Sequence, residues 1–155
     1  MQTNDSDKRP RAILFMGIQA SGKSTFYKQY FSSGFVHINL DTLHTRYQER
    51  LRLESCLQQN LSFVVDNTNP TCDDRKKYIE AAKEHGYEIH GYFFQSVIKD
   101  CIGRNSQRTG KANVPDRAIV YTSNRLELPR YEEGFDKLYF VSIRDGGFHV
   151  EPWKE

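Results

Sequence analysis

The sequence predicts an α/β domain of three layers, α/β/α, with a mostly parallel central sheet and a helical lid. Three observations predict it. Short apolar runs rich in aromatic and β-branched residues alternate with stretches of helical length. The first run passes directly into a glycine-rich turn. A segment of one-signed positive charge then interrupts the alternation before the last run.

The elements follow in chain order. Residues 1–11 are polar and charged, without the apolar stretch of a secretory signal, and read as a flexible leader. Residues 12–155 read as a single domain. Strands are expected at Ala12–Met16, Phe35–Asn39, Leu61–Asp66, Tyr87–Phe94 and Lys137–Ile143. Their near-continuous apolar character is that of strands covered on both faces. Ser24–Phe31 fits a helix after the glycine turn. Thr42–Gln59 carries Leu43, Tyr47, Leu51 and Leu53 at roughly helical spacing, which predicts one amphipathic helix with these residues in the core. Thr71, with Asp74 three residues on, resembles a capping box. The helix it opens runs from Cys72 to His85 and stops at Gly86. Pro115 suits the first turn of a further helix reaching Arg125. Gly146–Val150 reads as a short edge strand after a turn, with Trp153 packing locally.

Composition removes several function classes. The chain has 155 residues, 22 Lys+Arg against 20 Asp+Glu, and a net charge of +2. That balance does not suit a protein that coats nucleic acid by charge alone. No apolar run is long enough to span a membrane. Cys56, Cys72 and Cys101 are odd in number, widely spaced and without a CxxC pair. They read as small buried hydrophobes in a reducing, cytoplasmic setting rather than as a zinc or disulfide framework. His37, His90 and His149 alternate with apolar residues and read as strand residues.

The strongest local signal is Gly17-Ile18-Gln19-Ala20-Ser21-Gly22-Lys23-Ser24-Thr25, which fits G-x-x-x-x-G-K-[ST]. Gly17 and Gly22 permit backbone angles that turn successive N–H groups inward onto phosphate oxygens. Lys23 supplies a point charge for the β- and γ-phosphates, and the Ser24 hydroxyl suits Mg²⁺. The following helix adds its N-terminal dipole. With the strand before it and the helix after it, the run predicts a P-loop NTPase fold. Its nucleotide-binding set is Gly17, Ala20, Ser21, Gly22, Lys23, Ser24 and Thr25.

Two carboxylates and a basic segment extend this reading. Leu61–Asp66 is an apolar strand ending in Asp66, where P-loop proteins place the Mg²⁺-orienting Asp. Asp41 follows the strand Phe35–Asn39, on the ligand side of an open α/β sheet. It suits a general base; without the phosphate loop it would equally suit the cap of a helix beginning at Thr42. Residues 101–125 hold Arg104, Arg108, Lys111, Arg117 and Arg125 against Asp116 alone. Arg104 and Arg108, four apart, are expected on one helix face as a phosphate-clamping lid. No N-K-x-D guanine motif occurs, which favours ATP or relaxed specificity.

Together these residues resemble the kinase domain of the polynucleotide 5′-hydroxyl kinase family. The resemblance runs from about Arg11 to Ile143 and adds Val36–Leu43, Val65–Pro70, Asp74-Arg75 and Glu133-Gly134-Phe135 to the phosphate loop. It implies Mg²⁺-dependent transfer of the γ-phosphoryl group of ATP to a hydroxyl, in the family the 5′ end of a nucleic acid strand. It makes Asp41 the base, Lys23 and Ser24 the donor and metal residues, and Asp66 and Asn67 the lining of the metal and acceptor site. Arg104 and Arg108 become the lid clamp. The chain departs from the family at Leu40 and His44, positions where an Arg is often found; Arg46, one turn past Thr42, is the expected acceptor-binding substitute. No phosphatase signature precedes the kinase region. Two other classes share these parts: a small-metabolite or nucleoside kinase of the same fold, and a nucleotide-dependent binding module with little transfer activity.

Overall fold

The computed structural model describes residues 9–155. The expected leader therefore lies outside the described residues up to residue 8, and Arg11 already belongs to the first strand. Five parallel strands and one antiparallel edge strand form a single sheet in the order β2-β3-β1-β4-β5-β6. They are β1 (Arg11–Met16), β2 (Val36–Ile38), β3 (Phe63–Asp66), β4 (Glu88–Phe94), β5 (Lys137–Arg144) and β6 (Gly147–Pro152). β1 is central, with Leu14 beside Val65 of β3 and Gly91 of β4. Its residues Ala12–Met16 are all buried, because helices cover both faces of the sheet.

The period of two along β1 divides the core into two layers. Ala12, Leu14 and Met16 pack with Leu53, Cys56, Leu57, Tyr78, Ile79 and Ala82 from the helices α3 (Arg46–Gln59) and α4 (Cys72–Glu84). Ile13 and Phe15 face the other way, onto Phe26 and Tyr27 of α1 (Lys23–Tyr30). The three-layer α/β/α arrangement expected from the sequence is thus present. A third, smaller cluster joins Ile18 and Ala20 of the phosphate loop to Cys101 and Ile119, on α5 (Ile98–Asn105) and α6 (Asp116–Arg125). Among the described residues, no helix is long and apolar enough to cross a membrane.

Three sequence expectations change. The helix expected over 42–59 is two helices: a single turn, α2 (Leu40–Leu43), and then α3. His44 between them has φ 69°, and Thr45 caps α3 by accepting from the Gln48 N–H at 3.1 Å. The restart changes which face meets the sheet. Leu53, Cys56 and Leu57 are buried, while Tyr47 and Leu51, expected in the core, are 57% and 41% exposed. Second, Arg104 and Arg108 do not share a helix face: α5 ends at Asn105, whose side chain donates to Val114 O and accepts from Val114 N. Third, Trp153 reaches beyond its own hairpin, onto Phe93 of β4 at 5.3 Å as well as Phe140 at 6.3 Å. Elsewhere the expectations hold closely. Thr71 caps α4 by accepting from Asp74 N, and Gly86 turns the chain with φ 76°. Pro115 stands at the cap of α6 rather than within its first turn.

Candidate active site

The phosphate loop leaves β1 at Gly17 and enters α1 at Lys23. Gly22 has φ 100°, and a Cβ there would stand 3.0 Å from Phe148 and 3.1 Å from Ile143. Glycine at this point therefore serves both the turn and the close approach of the β5–β6 hairpin. The loop is stitched to the segment after β3: Gly17 N donates to Thr68 O at 3.0 Å, and Asn69 Nδ2 donates to Phe15 O at 2.7 Å. Gln19 Nε2 donates to Thr122 Oγ1 of α6 at 3.0 Å, tying the loop to the lid.

Lys23 is buried and folds back onto its own loop, donating to Gly17 O at 2.9 Å and Ile18 O at 2.7 Å. Burial lowers its pKa to about 8, against the opposing pull of the Asp66 charge. Ser24 Oγ donates to Asp66 Oδ2 at 2.7 Å. Two hard oxygens thus meet beside the phosphate loop. That donor chemistry fits Mg²⁺, which takes one or two protein oxygens and completes its shell with water and phosphate.

Asp66 is held from a side that the sequence reading missed. His37 Nε2 lies 2.8 Å from the same Oδ2. The His37 ring stacks on Tyr27 with centroids 3.9 Å apart, and Tyr27 in turn donates its hydroxyl hydrogen to Phe35 O. His37 is a strand residue, as expected, but its ring is part of the site. Pairing β2 against β3 would have revealed it, since His37 lies opposite Val64, two residues before Asp66.

Asp41 lies on α2 and is exposed at the mouth of a cleft of about 500 Å³. The helix cap is not Asp41 but Asn39, whose Oδ1 accepts from Thr42 N while its Nδ2 donates to Asp66 O at 2.6 Å. Asn67 Oδ1 accepts from Leu40 N at 3.1 Å, and Asn67 Nδ2 donates to Glu49 Oε2 at 2.8 Å. The cleft brings together Ala20, Lys23, Ser24, Asp41, Arg46, Asp66, Asn67 and Arg108 of the sequence-predicted set. Lys77, Lys111 and Arg125 add further positive charge to its walls.

Arg104 is not among these groups. Its Nε donates to Ala20 O at 2.6 Å, its Nη2 contacts Cys101 Sγ at 3.3 Å, and it lines a small separate crevice with Ser21 and Asp100. The loop beyond α5 instead presents Arg108, whose Nη1 donates to Ala112 O at 3.3 Å. Arg75 is fully buried beneath the site. Its Nε and Nη2 donate to Asn69 O, Pro70 O and Glu127 O, and its Nη1 donates to both carboxylate oxygens of Glu133 at 3.0 and 3.1 Å.

A glycine loop between β1 and α1, at the ligand edge of a parallel sheet, is the construction of the P-loop fold, here with the flanking carboxylates and basic flap that P-loop kinases share. The comparisons with known proteins agree. A family model described as an AAA domain matches residues 13–129, and the chain belongs to that family. The chain is 32% identical over 143 residues, 88% of its length, to a putative bifunctional polynucleotide phosphatase/kinase of Acanthamoeba polyphaga mimivirus. It is 31% identical over 145 residues, 91% of its length, to the bifunctional polynucleotide phosphatase/kinase of Schizosaccharomyces pombe. It spans 34% and 36% of the length of these two relatives. Among solved structures, Chaetomium thermophilum Kti12 in complex with ADP-AlF3 is similar in fold, with a TM-score of 0.65 at 15% identity over 86% of this chain and 90% of that one.

Proposed function

We propose that the protein is an ATP- and Mg²⁺-dependent kinase that phosphorylates a hydroxyl group, namely the 5′-OH end of a DNA or RNA strand. One observation carries the reading. Asp41 is exposed in the same cleft as the phosphate loop, and Asn39 has taken the capping duty that would otherwise occupy its carboxylate. The similarity to two relatives named polynucleotide phosphatase/kinase supports the choice of acceptor.

The chemistry follows from placement. The loop N–H groups and Lys23 bind the donor phosphates, and Lys23 exchanges its loop carbonyls for phosphate oxygens as they arrive. Ser24 and Asp66 would hold Mg²⁺, which when bound neutralises charge on the β- and γ-phosphates. Asp41 accepts the proton of the acceptor hydroxyl as its oxygen bonds to the γ-phosphorus. The bond from that phosphorus to the β,γ-bridging oxygen breaks, and ADP leaves. Arg108 and Lys111 face the charge that spreads over the transferring group. Arg104, expected in this clamp, anchors the phosphate loop through Ala20 instead.

The test is incubation with labelled ATP, Mg²⁺ and a panel of 5′-OH DNA, 5′-OH RNA, nucleosides and sugars. Strand labelling that disappears in Asp41→Asn, with ATP binding kept, is the expected result. Labelling of a metabolite and of no oligonucleotide overturns the acceptor, and full activity in Asp41→Asn removes Asp41 as the base.

A further inference from the structure

Among the described residues, one buried side-chain polar atom has no hydrogen-bond partner: Oε1 of Gln19, within the phosphate loop. The other end of that amide is engaged, Nε2 donating to Thr122 Oγ1 on α6 at 3.0 Å. The Thr122 hydroxyl in turn donates to Ala118 O at 3.0 Å. An orphaned buried acceptor costs stability, and this one stands where the loop meets the lid. Ile18 and Ala20, its neighbours in the chain, pack against Ile119 of the same helix.

The side chain has a second state with the same bond to α6. Turning the amide end over brings Oε1 to Thr122. The hydroxyl hydrogen then swings to Oε1 from Ala118 O, a carbonyl that the helix's own ladder already serves. Nε2 takes the place of the orphaned oxygen and needs an acceptor. Charge in the loop decides between the two states. Lys23 Nζ lies on Ile18 O at 2.7 Å, and a carbonyl dipole suits that positive field. A bound phosphate reverses the sign and suits an N–H instead. Gln19 lines the same cleft as Asp41, whereas Ser21 lines the separate crevice of Arg104. The phosphate that comes to Gln19 is therefore the terminal one, which has to meet the acceptor beside Asp41.

We propose that Gln19 senses the terminal phosphate of the donor nucleotide and reports it to the lid. Its amide turns over when a nucleoside triphosphate binds: Nε2 donates to an oxygen of that phosphate, and Oε1 accepts from Thr122. Helix α6 is thereby fastened to the triphosphate and is released by the diphosphate. The inference rests on the proposed use of ATP and deepens it, and it needs no particular acceptor.

Two measurements without acceptor test this, each with the Mg²⁺ complexes of ADP and of the non-hydrolysable imido analogue of ATP. The first is nucleotide affinity by calorimetry. Gln19→Met should weaken binding of the analogue about tenfold, the worth of one hydrogen bond to a charged group, and leave that of ADP unchanged. Gln19→Glu keeps the shape but has no N–H to offer, so it should lose at least as much; it carries the test if Gln19→Met is poorly folded. Thr122→Val should weaken binding of the analogue in the wild-type background and add nothing in Gln19→Met. The second measurement is hydrogen exchange of the α6 amides. They should be protected more by the analogue than by ADP, and the difference should vanish in Gln19→Met. A variant that keeps the wild-type ratio of the two affinities overturns the inference. So does equal weakening of both nucleotides, which makes the Gln19–Thr122 bond a structural tie alone. Protein that shows the predicted Gln19 dependence yet phosphorylates nothing upholds the inference and overturns the kinase reading. Protein that phosphorylates a strand with Gln19→Met binding both nucleotides as wild type does the reverse.

Discussion

Replacing Arg75 by Met should unfold the protein far more readily than its distance from the cleft suggests. The guanidinium is fully buried and makes a two-point ion pair with Glu133, and it also donates to three backbone carbonyls, at Asn69, Pro70 and Glu127. Methionine fills much of the volume but leaves the nearly buried Glu133 carboxylate with only the Arg130 N–H, and removing the cation of such a pair costs ~3–5 kcal/mol in comparable sites. The stranded carbonyls add ~1 kcal/mol each before relaxation. These contributions overlap, so the net loss should be ~4–6 kcal/mol, a large part of the ~5–15 kcal/mol that stabilises a typical domain. At ~3 °C per kcal/mol for a chain of this size, the melting temperature should fall by ~10–20 °C. Thermal unfolding by circular dichroism reads this directly. Arg75→Lys should lose nearly as much, because an ammonium cannot reach Glu133 and the three carbonyls together. Adding Glu133→Gln to Arg75→Met should recover part of the loss, since the uncompensated charge is then gone. A melting temperature within ~3 °C of wild type for Arg75→Met would refute the reasoning.

Other consequences are separable by assay. Arg108→Ala should lower kcat more than it weakens ATP binding, whereas Arg104→Ala should mainly weaken ATP binding by loosening the loop at Ala20; equal kinetic effects would merge the two roles again. Gly91→Ala should destabilise the protein by ~1–3 kcal/mol in denaturant titration, because a Cβ there would stand 2.6 Å from Leu138 and 2.8 Å from Phe135. Lys23 gives a pH signature in the nucleotide-free protein: with its pKa lowered by burial to about 8, the folded state holds fewer protons than the unfolded state between pH 8 and about 10.5. Its contribution to stability therefore rises with pH across that window and is constant below it. The unfolding free energy of wild type minus that of Lys23→Met should rise from pH 8 to pH 9.5, and a flat value would deny the shift.

The phosphate loop was legible because it is local. Strand, glycine turn, lysine and helix follow one another within Ala12–Phe31, and no long-range contact is needed to place Lys23 or Ser24. The surroundings of Asp66 and Asn67 depend on contacts across the sheet and between helices. His37 reaches Asp66 only because β2 pairs with β3, and Glu49 reaches Asn67 and Tyr78 only because α3 and α4 pack on one face. The broken helix after Asp41 was misread for a different reason. Leu43, Tyr47, Leu51 and Leu53 do fall near helical spacing, and periodicity carried no sign of the capping Thr45 that restarts the chain. Arg104 and Arg108 were expected on one face because they are four apart, but that spacing implies a shared face only while the helix continues, and α5 stops at Asn105. By contrast, Asp74-Arg75 and Glu133-Gly134-Phe135, read only as two separate pieces of a resemblance, prove to be one feature: the Arg75–Glu133 pair, with Gly134 at φ 119° close against Lys83 and Ile79.

The break at His44 bears on what Asp41 can do. A helix starting at Thr42 would have used the Asp41 carboxylate as its cap, bound to an N–H of its own first turn and withdrawn from the cleft. Starting the turn two residues earlier hands that duty to Asn39, and Asn39 has two ends to give. Its oxygen takes Thr42 N, and its nitrogen reaches Asp66 O at 2.6 Å. One buried amide thus frees the carboxylate of Asp41 and fixes its helix against the strand that carries Asp66. Asn67 repeats the device from the opposite direction, accepting from Leu40 N while donating to Glu49. The one-turn helix that bears Asp41 is therefore held by side chains on both sides rather than by its own length, which at four residues stabilises almost nothing. Such an element keeps the Asp41 carboxylate, the proposed base, at a set position beside the phosphate loop, without a long helix whose N-terminus would compete for it.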